Sequence, residues 1–210
     1  MAITFRIVLA GPAADVATIL LKVEEPLANM GFRRDRVLRH TELESDDALN
    51  ELAEVPSLSQ AGEELREWNG LSAHYMSPDF EFGAQFYRWG TGFVNAYVGI
   101  DKRALSRLFA TRTADRFYTP LIAIAQAMRA EGGFGDTELP FDPVKPDAVT
   151  SLFFNSPDRG PFLIGLFALG TLSKDQLNYL EQDEYDVWQR DGYLLAQDRA
   201  FVEISSKYAK

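Results

Sequence analysis

Two histidines are the only side chains of this sequence that ordinarily titrate near neutral pH. His40 follows a cluster of four arginines on a predicted strand, and His74 lies just before a predicted hairpin. Residues 70–74 read GLSAH, so Ser72 lacks the second glycine of a G-x-S-x-G nucleophile elbow. We therefore interpret both histidines as structural or surface residues and expect no catalytic residues.

Three alternating carboxylates, Glu42, Glu44 and Asp46, are the clearest candidate for a cation site. In an extended conformation their oxygens share one side and could hold Mg²⁺ or Ca²⁺, but no glycine-turned loop accompanies them. A solvated strand edge is the preferred interpretation, because charge there discourages strand addition. The chain has no cysteine, no phosphate-binding glycine loop, no dinucleotide fingerprint and no H-E-x-x-H motif. We expect neither a metal nor a cofactor.

Residues 32–40 form a basic run. A regular strand would place three of its residues, Arg34, Arg36 and His40, on one face. Two interpretations stay open for them. They pair internally with the acidic residues that follow, or they clamp an anionic ligand through bidentate hydrogen bonds.

The formal net charge of −10 is concentrated in two segments. Residues 41–67 hold nine acidic and one basic side chain, and residues 175–191 hold six and one. These segments are either solvated faces or an acidic surface that attracts a cationic partner. The predicted partner-binding acids are Glu42, Glu44, Asp46, Asp47, Glu51, Glu54, Glu63, Glu64, Glu67, Asp183, Glu184 and Asp186. The charge argues against nucleic acid and anionic membranes as partners.

Residues 79–100 alternate apolar and polar side chains around Gly90–Gly92, which predicts a β-hairpin. One face is wholly apolar. The other carries Gln85 and Asn95 beside four aromatic residues, Tyr87, Trp89, Phe93 and Tyr97. This face is either a second core layer or an exposed platform, and we expect exposed rings to contact a protein partner.

The remaining patterns predict one α+β domain over residues 1–210, in which a β-α-β unit opens a mostly antiparallel sheet. A possible subdivision lies within 132–148. The predicted elements are a strand over 3–10, a helix from Pro12, a strand over 36–43, two acidic helices over 45–68, helices after Asp101 and from Thr119-Pro120, a linker over 132–147, strands over 149–154 and 162–169, a helix capped by Ser173, a hairpin over 185–197 and a strand over 201–204.

The absence of cysteine, of a signal-peptide pattern and of a long apolar run favours a soluble cytoplasmic protein. The function expected from charge and missing motifs is non-enzymatic sequestration of a basic protein, as by an immunity protein that neutralises a bacterial toxin. One alternative is a hydrolase-type enzyme that uses Asp, Glu, Arg and Tyr without a linear motif, for example a carboxylate pair. The other is a small-molecule module whose pocket is the aromatic face.

Overall fold

One antiparallel sheet of ten strands organises the part of the chain that the computed structural model describes, residues 4–40, 52–54, 70–90, 92–137, 139, 142–155, 163–181 and 184–207. The strands lie in the order β3-β2-β4-β5-β6-β1-β7-β8-β10-β9. Their bounds are β1 Thr4–Pro12, β2 Arg33–His40, β3 Leu52–Glu54, β4 Gly70–Met76, β5 Glu81–Trp89, β6 Phe93–Asp101, β7 Gly132–Thr137, β8 Ile164–Ala168, β9 Tyr185–Arg190 and β10 Tyr193–Asp198.

Six α-helices accompany these strands in the described residues, which confirms the α+β class. Their bounds are α1 Val16–Asn29, α2 Lys102–Ala110, α3 Asp115–Met128, α4 Val149–Asn155, α5 Lys174–Glu181 and α6 Arg199–Lys207. The chain opens with β1, α1 and β2, as expected. However, three strands separate β1 from β2 in the sheet, so this unit does not form a parallel pair.

The first core lies between one sheet face and helices α1, α2, α3 and α6. It forms because alternate residues of the long strands are apolar, and each helix adds an apolar stripe. Asp15 caps α1 by accepting a hydrogen bond from the backbone N–H of Thr18 at 3.0 Å. Pro26 lies inside α1 without ending it, and the chain leaves the helix through Gly31 at φ +85°.

The predicted linker over 132–147 is wrong, because Gly132–Thr137 form β7 in the middle of the sheet. Its glycines allow close packing rather than flexibility. A Cβ added to Gly133 would lie 2.4 Å from the carbonyl oxygen of Val8, and one added to Gly132 would lie 2.7 Å from that of Leu166. This glycine-rich segment therefore has the composition of a loop but is a tightly packed strand.

Two predicted strands are helices instead. Residues 149–154 belong to α4 and residues 201–204 to α6, where Asp198 accepts a hydrogen bond from the backbone N–H of Phe201. Short apolar runs do not distinguish a buried strand from one side of a short helix. In addition, α3 begins at Asp115 and contains Pro120, so Thr119-Pro120 does not start it.

The predicted acidic helices over 45–68 fall mostly outside the described residues. The described portion is β3, a three-residue strand that pairs with β2 through Leu38–Glu54, Arg39–Ala53 and His40–Leu52. The prediction of a helix at residues 52 and 53 is therefore wrong. The hairpins β5–β6 and β9–β10 and the capping box of Ser173 with Gln176 are confirmed.

Candidate functional site

The second face of the sheet is divided into a covered and an open part among the described residues. Helices α4 and α5, together with Leu139 and residues 142–148, cover the part near β7, β8 and β10, which forms a second core. Asn95 holds this cover in place from beneath. Its Nδ2 donates to the carbonyl oxygen of Val144 at 2.7 Å, and the N–H of Val144 donates to its Oδ1 at 2.9 Å.

Two of the four predicted aromatic anchors, Tyr87 and Tyr97, belong to this second core, at 4% and 2% exposure. The Tyr97 hydroxyl donates to the carbonyl oxygen of Asp142 at 2.5 Å. Burial raises the pKa of Tyr87 to about 12 and also raises that of Tyr97. Trp89 and Phe93 are half-buried. Of the two alternatives for this face, the second core layer therefore holds for Tyr87 and Tyr97, which pack in one cluster with Leu139 and Val144.

The open part of this face is organised around one row of cross-strand neighbours. The strand registers join Arg36 to His74, His74 to Gly83, Gly83 to Gly99, Gly99 to Arg6 and Arg6 to Asp136. Side chains that lie opposite one another in a sheet point to the same face. The middle of the row is therefore bare backbone, between His74 on one side and Arg6 on the other.

A glycine within a strand is commonly explained by a positive φ or by close packing against a neighbour, and neither reason applies to Gly83. Its φ is not positive, and no described atom lies within 4 Å of a Cβ added there. By contrast, a Cβ on Gly132, Gly133 or Gly135 would approach a neighbouring atom closer than 3 Å. A strand glycine weakens its sheet and often marks the place where a ligand or another chain approaches. Gly83 fits that last explanation.

A pocket of about 400 Å³ lies over the two glycines. Its walls carry donors and acceptors of both charges: Thr4, Arg6, His74, Glu81, Gln85, Tyr97 and Asp101. Besides the Tyr97 hydroxyl, which donates to the carbonyl oxygen of Asp142, two of these groups are already engaged. The Arg6 guanidinium donates to the carbonyl oxygen of Leu139, and Oδ1 of Asp101 accepts from the backbone N–H groups of Arg103 and Ala104 at the start of α2.

His74 lies between two carboxylates at the edge of the pocket. Its Nδ1 is 3.8 Å from Oδ2 of Asp35, and its Nε2 is 3.7 Å from Oε2 of Glu81. Both distances exceed a hydrogen bond, so His74 is not hydrogen-bonded to either carboxylate. The Glu81 side chain is 64% exposed and that of Asp35 48%. Glu81 therefore gives the pocket an accessible anionic edge, while Asp35 and the exposed Arg36 lie on the other side of His74, outside the lining of the pocket.

The proposed anion site of Arg34, Arg36 and His40 is not assembled as expected. The register between β2 and β4 shifts between Arg34 and Arg36, which places these two arginines on opposite faces. Arg34 pairs with Glu24 of α1, on the side of the first core. Arg36 is exposed on the open face opposite His74. The side chain of His40 lies outside the described part.

The strands that the structure describes within the two acidic segments, β3 and β9, are the two opposite edge strands of the sheet. In the second segment, Asp186 pairs with Arg199 at 2.7 Å and Glu184 is exposed. Glu54 lies in β3, but its side chain is not described. The other predicted acids lie outside the described residues, namely Glu42, Glu44, Asp46, Asp47, Glu51, Glu63, Glu64, Glu67 and Asp183.

The buried polar side chains of the described part are few. They are Asn95, Ser106, Gln197 and Ser205, with no carboxylate among them. Gln197 accepts from the Tyr118 hydroxyl, within the first core. Among the same residues no group of three His, Cys, Asp or Glu side chains could hold a metal. Two carboxylates, Glu81 and Asp101, line the pocket over the glycines, and neither is buried.

Sequence reasoning missed the pocket because its floor consists of two glycines separated by 15 residues. The available signal was that Gly83 and Gly99 each take a polar-face position within the alternating pattern of the hairpin. Only the register of the pairing shows that they are neighbours.

No protein-family model matches the chain, and no curated protein is significantly similar to it. Among the described residues no helix is both long and apolar enough to cross a membrane.

Proposed function

We propose that this protein is a non-enzymatic binding protein that sequesters a basic protein partner through the open part of its second sheet face. An immunity protein that neutralises a bacterial toxin is an example of this type. The observation that carries the proposal is the accessible anionic edge that Glu81 forms over a bare glycine floor, with Asp35 on the other side of His74. Such a surface attracts cationic groups over a distance and orients them on contact.

The position of the first acidic segment supports the same surface. Residues 41–69 connect His40 of β2 to Gly70 of β4, which are cross-strand neighbours, and Leu52–Glu54 of this connection form β3 beside β2. From His40 to Arg36, in the row of the pocket, is about 13 Å along the strand. The nine acidic residues of this segment are thus tethered to the half of the sheet that holds the pocket.

The experiment begins with capture of proteins from an extract of the source cells at low salt, using the full chain as bait. Each captured protein is then purified and titrated by calorimetry in about 0.05 M and 0.5 M NaCl. We expect a basic partner with one-to-one stoichiometry whose affinity falls at least about tenfold at the higher salt, because salt screens exposed charges. An acidic protein of equal size is the negative control.

The proposal is abandoned if no captured protein is basic, or if the purified basic proteins bind without fixed stoichiometry. Binding that does not respond to salt would also contradict it, since the attraction would then not come from exposed carboxylates.

A further inference from the structure

We infer that the pocket over Gly83 and Gly99 receives one cationic side chain, an arginine or a lysine, from the partner. This inference rests on the proposed function and assigns the contact that the open face makes. It accounts for Gly83, a glycine in the middle of a sheet for which neither backbone conformation nor close packing gives a reason.

The dimensions of the pocket suit one extended side chain. Its volume is about 400 Å³, and two adjacent strands supply a floor without side chains. The aliphatic stem of a lysine or arginine can lie on bare backbone while its charged end stays at the edge. Even one methyl group on Gly83 would begin to fill this space.

The charges around the pocket favour a cation over an anion. Glu81 is exposed at the edge, and its described ionic neighbour is His74, beyond hydrogen-bonding distance. Asp35 and the exposed Arg36 lie on the other side of the imidazole, and neither lines the pocket. The cation on the opposite wall, Arg6, is half-buried and already donates to the carbonyl oxygen of Leu139. A cation entering the pocket therefore meets Glu81 first.

The experiment uses the full chain and small probes, followed by ¹⁵N–¹H NMR spectra. The cationic probes are N-acetyl-arginine methylamide and N-acetyl-lysine methylamide. The matched anionic and neutral probes are the same derivatives of glutamate and alanine. We expect saturable shifts of the Gly83 and Gly99 amides with a cationic probe only, at a millimolar dissociation constant, as suits one exposed ion pair.

Three variants test the contact. Gly83→Leu fills the pocket and should abolish the saturable shifts. Gly92→Leu places the same side chain at an open glycine in the turn of the same hairpin and should leave them unchanged. Glu81→Gln keeps the shape of the side chain, removes the charge, and should weaken the cationic probe about threefold.

The inference is overturned if only the glutamate probe shifts these amides, if no probe does so saturably, or if Gly83→Leu leaves the cationic shifts in place. Its failure is distinct from failure of the proposed function. If a captured basic partner binds wild type and Gly83→Leu equally well, the pocket is not the contact site, but the proposed binding function still holds. Absence of any basic partner would remove the proposed function, whatever the probes do.

Discussion

Asn95 and Val144 exchange two hydrogen bonds, at 2.7 and 2.9 Å, although 49 residues separate them in the chain. Asn95 is completely buried on β6 and Val144 belongs to the segment that covers the second core. This exchange ties the cover to β6. Tyr97, two residues further along β6, contacts the same cover through Asp142 and lines the pocket.

Replacement of Asn95 by alanine should therefore lower the free energy of unfolding by about 2–4 kcal/mol, because it leaves a buried N–H and a buried carbonyl group without partners. Urea denaturation followed by circular dichroism measures the change. Gln126→Ala is the matched control, since its amide donates to the carbonyl oxygen of Asp191 at the surface, and it should cost less than about 1 kcal/mol. A loss below 1 kcal/mol for Asn95→Ala would show that the exchange does not hold the cover.

The glycines of the sheet should divide into two classes when replaced by alanine. Gly133→Ala should cost at least about 2 kcal/mol, because its Cβ would lie 2.4 Å from the carbonyl oxygen of Val8. Gly83→Ala should be neutral or stabilise by up to about 1 kcal/mol, because it removes backbone freedom without a clash. Thermal and urea unfolding of both variants check this. Equal destabilisation by the two substitutions would mean that Gly83 is needed for packing and not for binding.

Buried tyrosines make the stability of the fold depend on alkaline pH. Burial raises the pKa of Tyr87 to about 12 and raises those of Tyr75, Tyr97 and Tyr185 further. The neutral phenol is thus favoured in the folded state. The contribution of these buried phenols to the free energy of unfolding is fully present below the unfolded pKa of about 10. It is lost as the pH rises towards the pKa values of the folded state. We expect the free energy of unfolding to be level between about pH 8 and 9 and to fall from about pH 10 upwards.

Urea denaturation at several pH values tests this dependence, and absorbance near 295 nm follows phenolate formation in the native protein. Tyr87→Phe should make the decline above pH 10 shallower, since one titrating group is removed. Free titration of all tyrosines near pH 10 without loss of structure would contradict the burial of these rings.

The hairpin β5–β6 could be predicted from sequence because its alternation is regular and its turn contains glycines. The strand β7 could not, since glycines that let strands approach closely have the composition of a loop. Residues 149–154 and 201–204 have apolar runs that suit either a strand or a short helix. Their helical state is decided by neighbours distant in sequence, such as Phe167 beside Phe153 and Phe109 beside Phe201.

The candidate site was less accessible to sequence reasoning than the fold. Arg34 and Arg36 are two residues apart, so a regular strand would place them on one face, yet the bulge between them separates them. Tyr87 and Tyr97 are aromatic at polar-face positions, and only the cover held by Asn95 shows that they are core residues. The charge of residues 41–67 was evident, but its relation to the pocket depends on the pairing of His40 with Gly70.

Asp186 was predicted to contact the partner, but its pairing with Arg199 gives it a local role. Asp186→Asn should lower the free energy of unfolding by less than about 1 kcal/mol, as expected for an exposed ion pair. Its affinity for a basic partner should remain within about twofold of wild type, measured by calorimetry. A tenfold loss of affinity would show that β9 is part of the binding surface.

Charge neutralisation in the two acidic segments tests the central claim most directly. The two variants are Glu42→Gln/Glu44→Gln/Asp46→Asn/Asp47→Asn and the matched Asp175→Asn/Glu181→Gln/Asp183→Asn/Glu184→Gln, each titrated with the captured basic partner at low salt. If the partner binds the open half of the sheet, the first variant loses at least about tenfold in affinity and becomes less sensitive to salt, while the second stays within about twofold of wild type. Equal losses in both variants, or a loss confined to the second, would contradict the account.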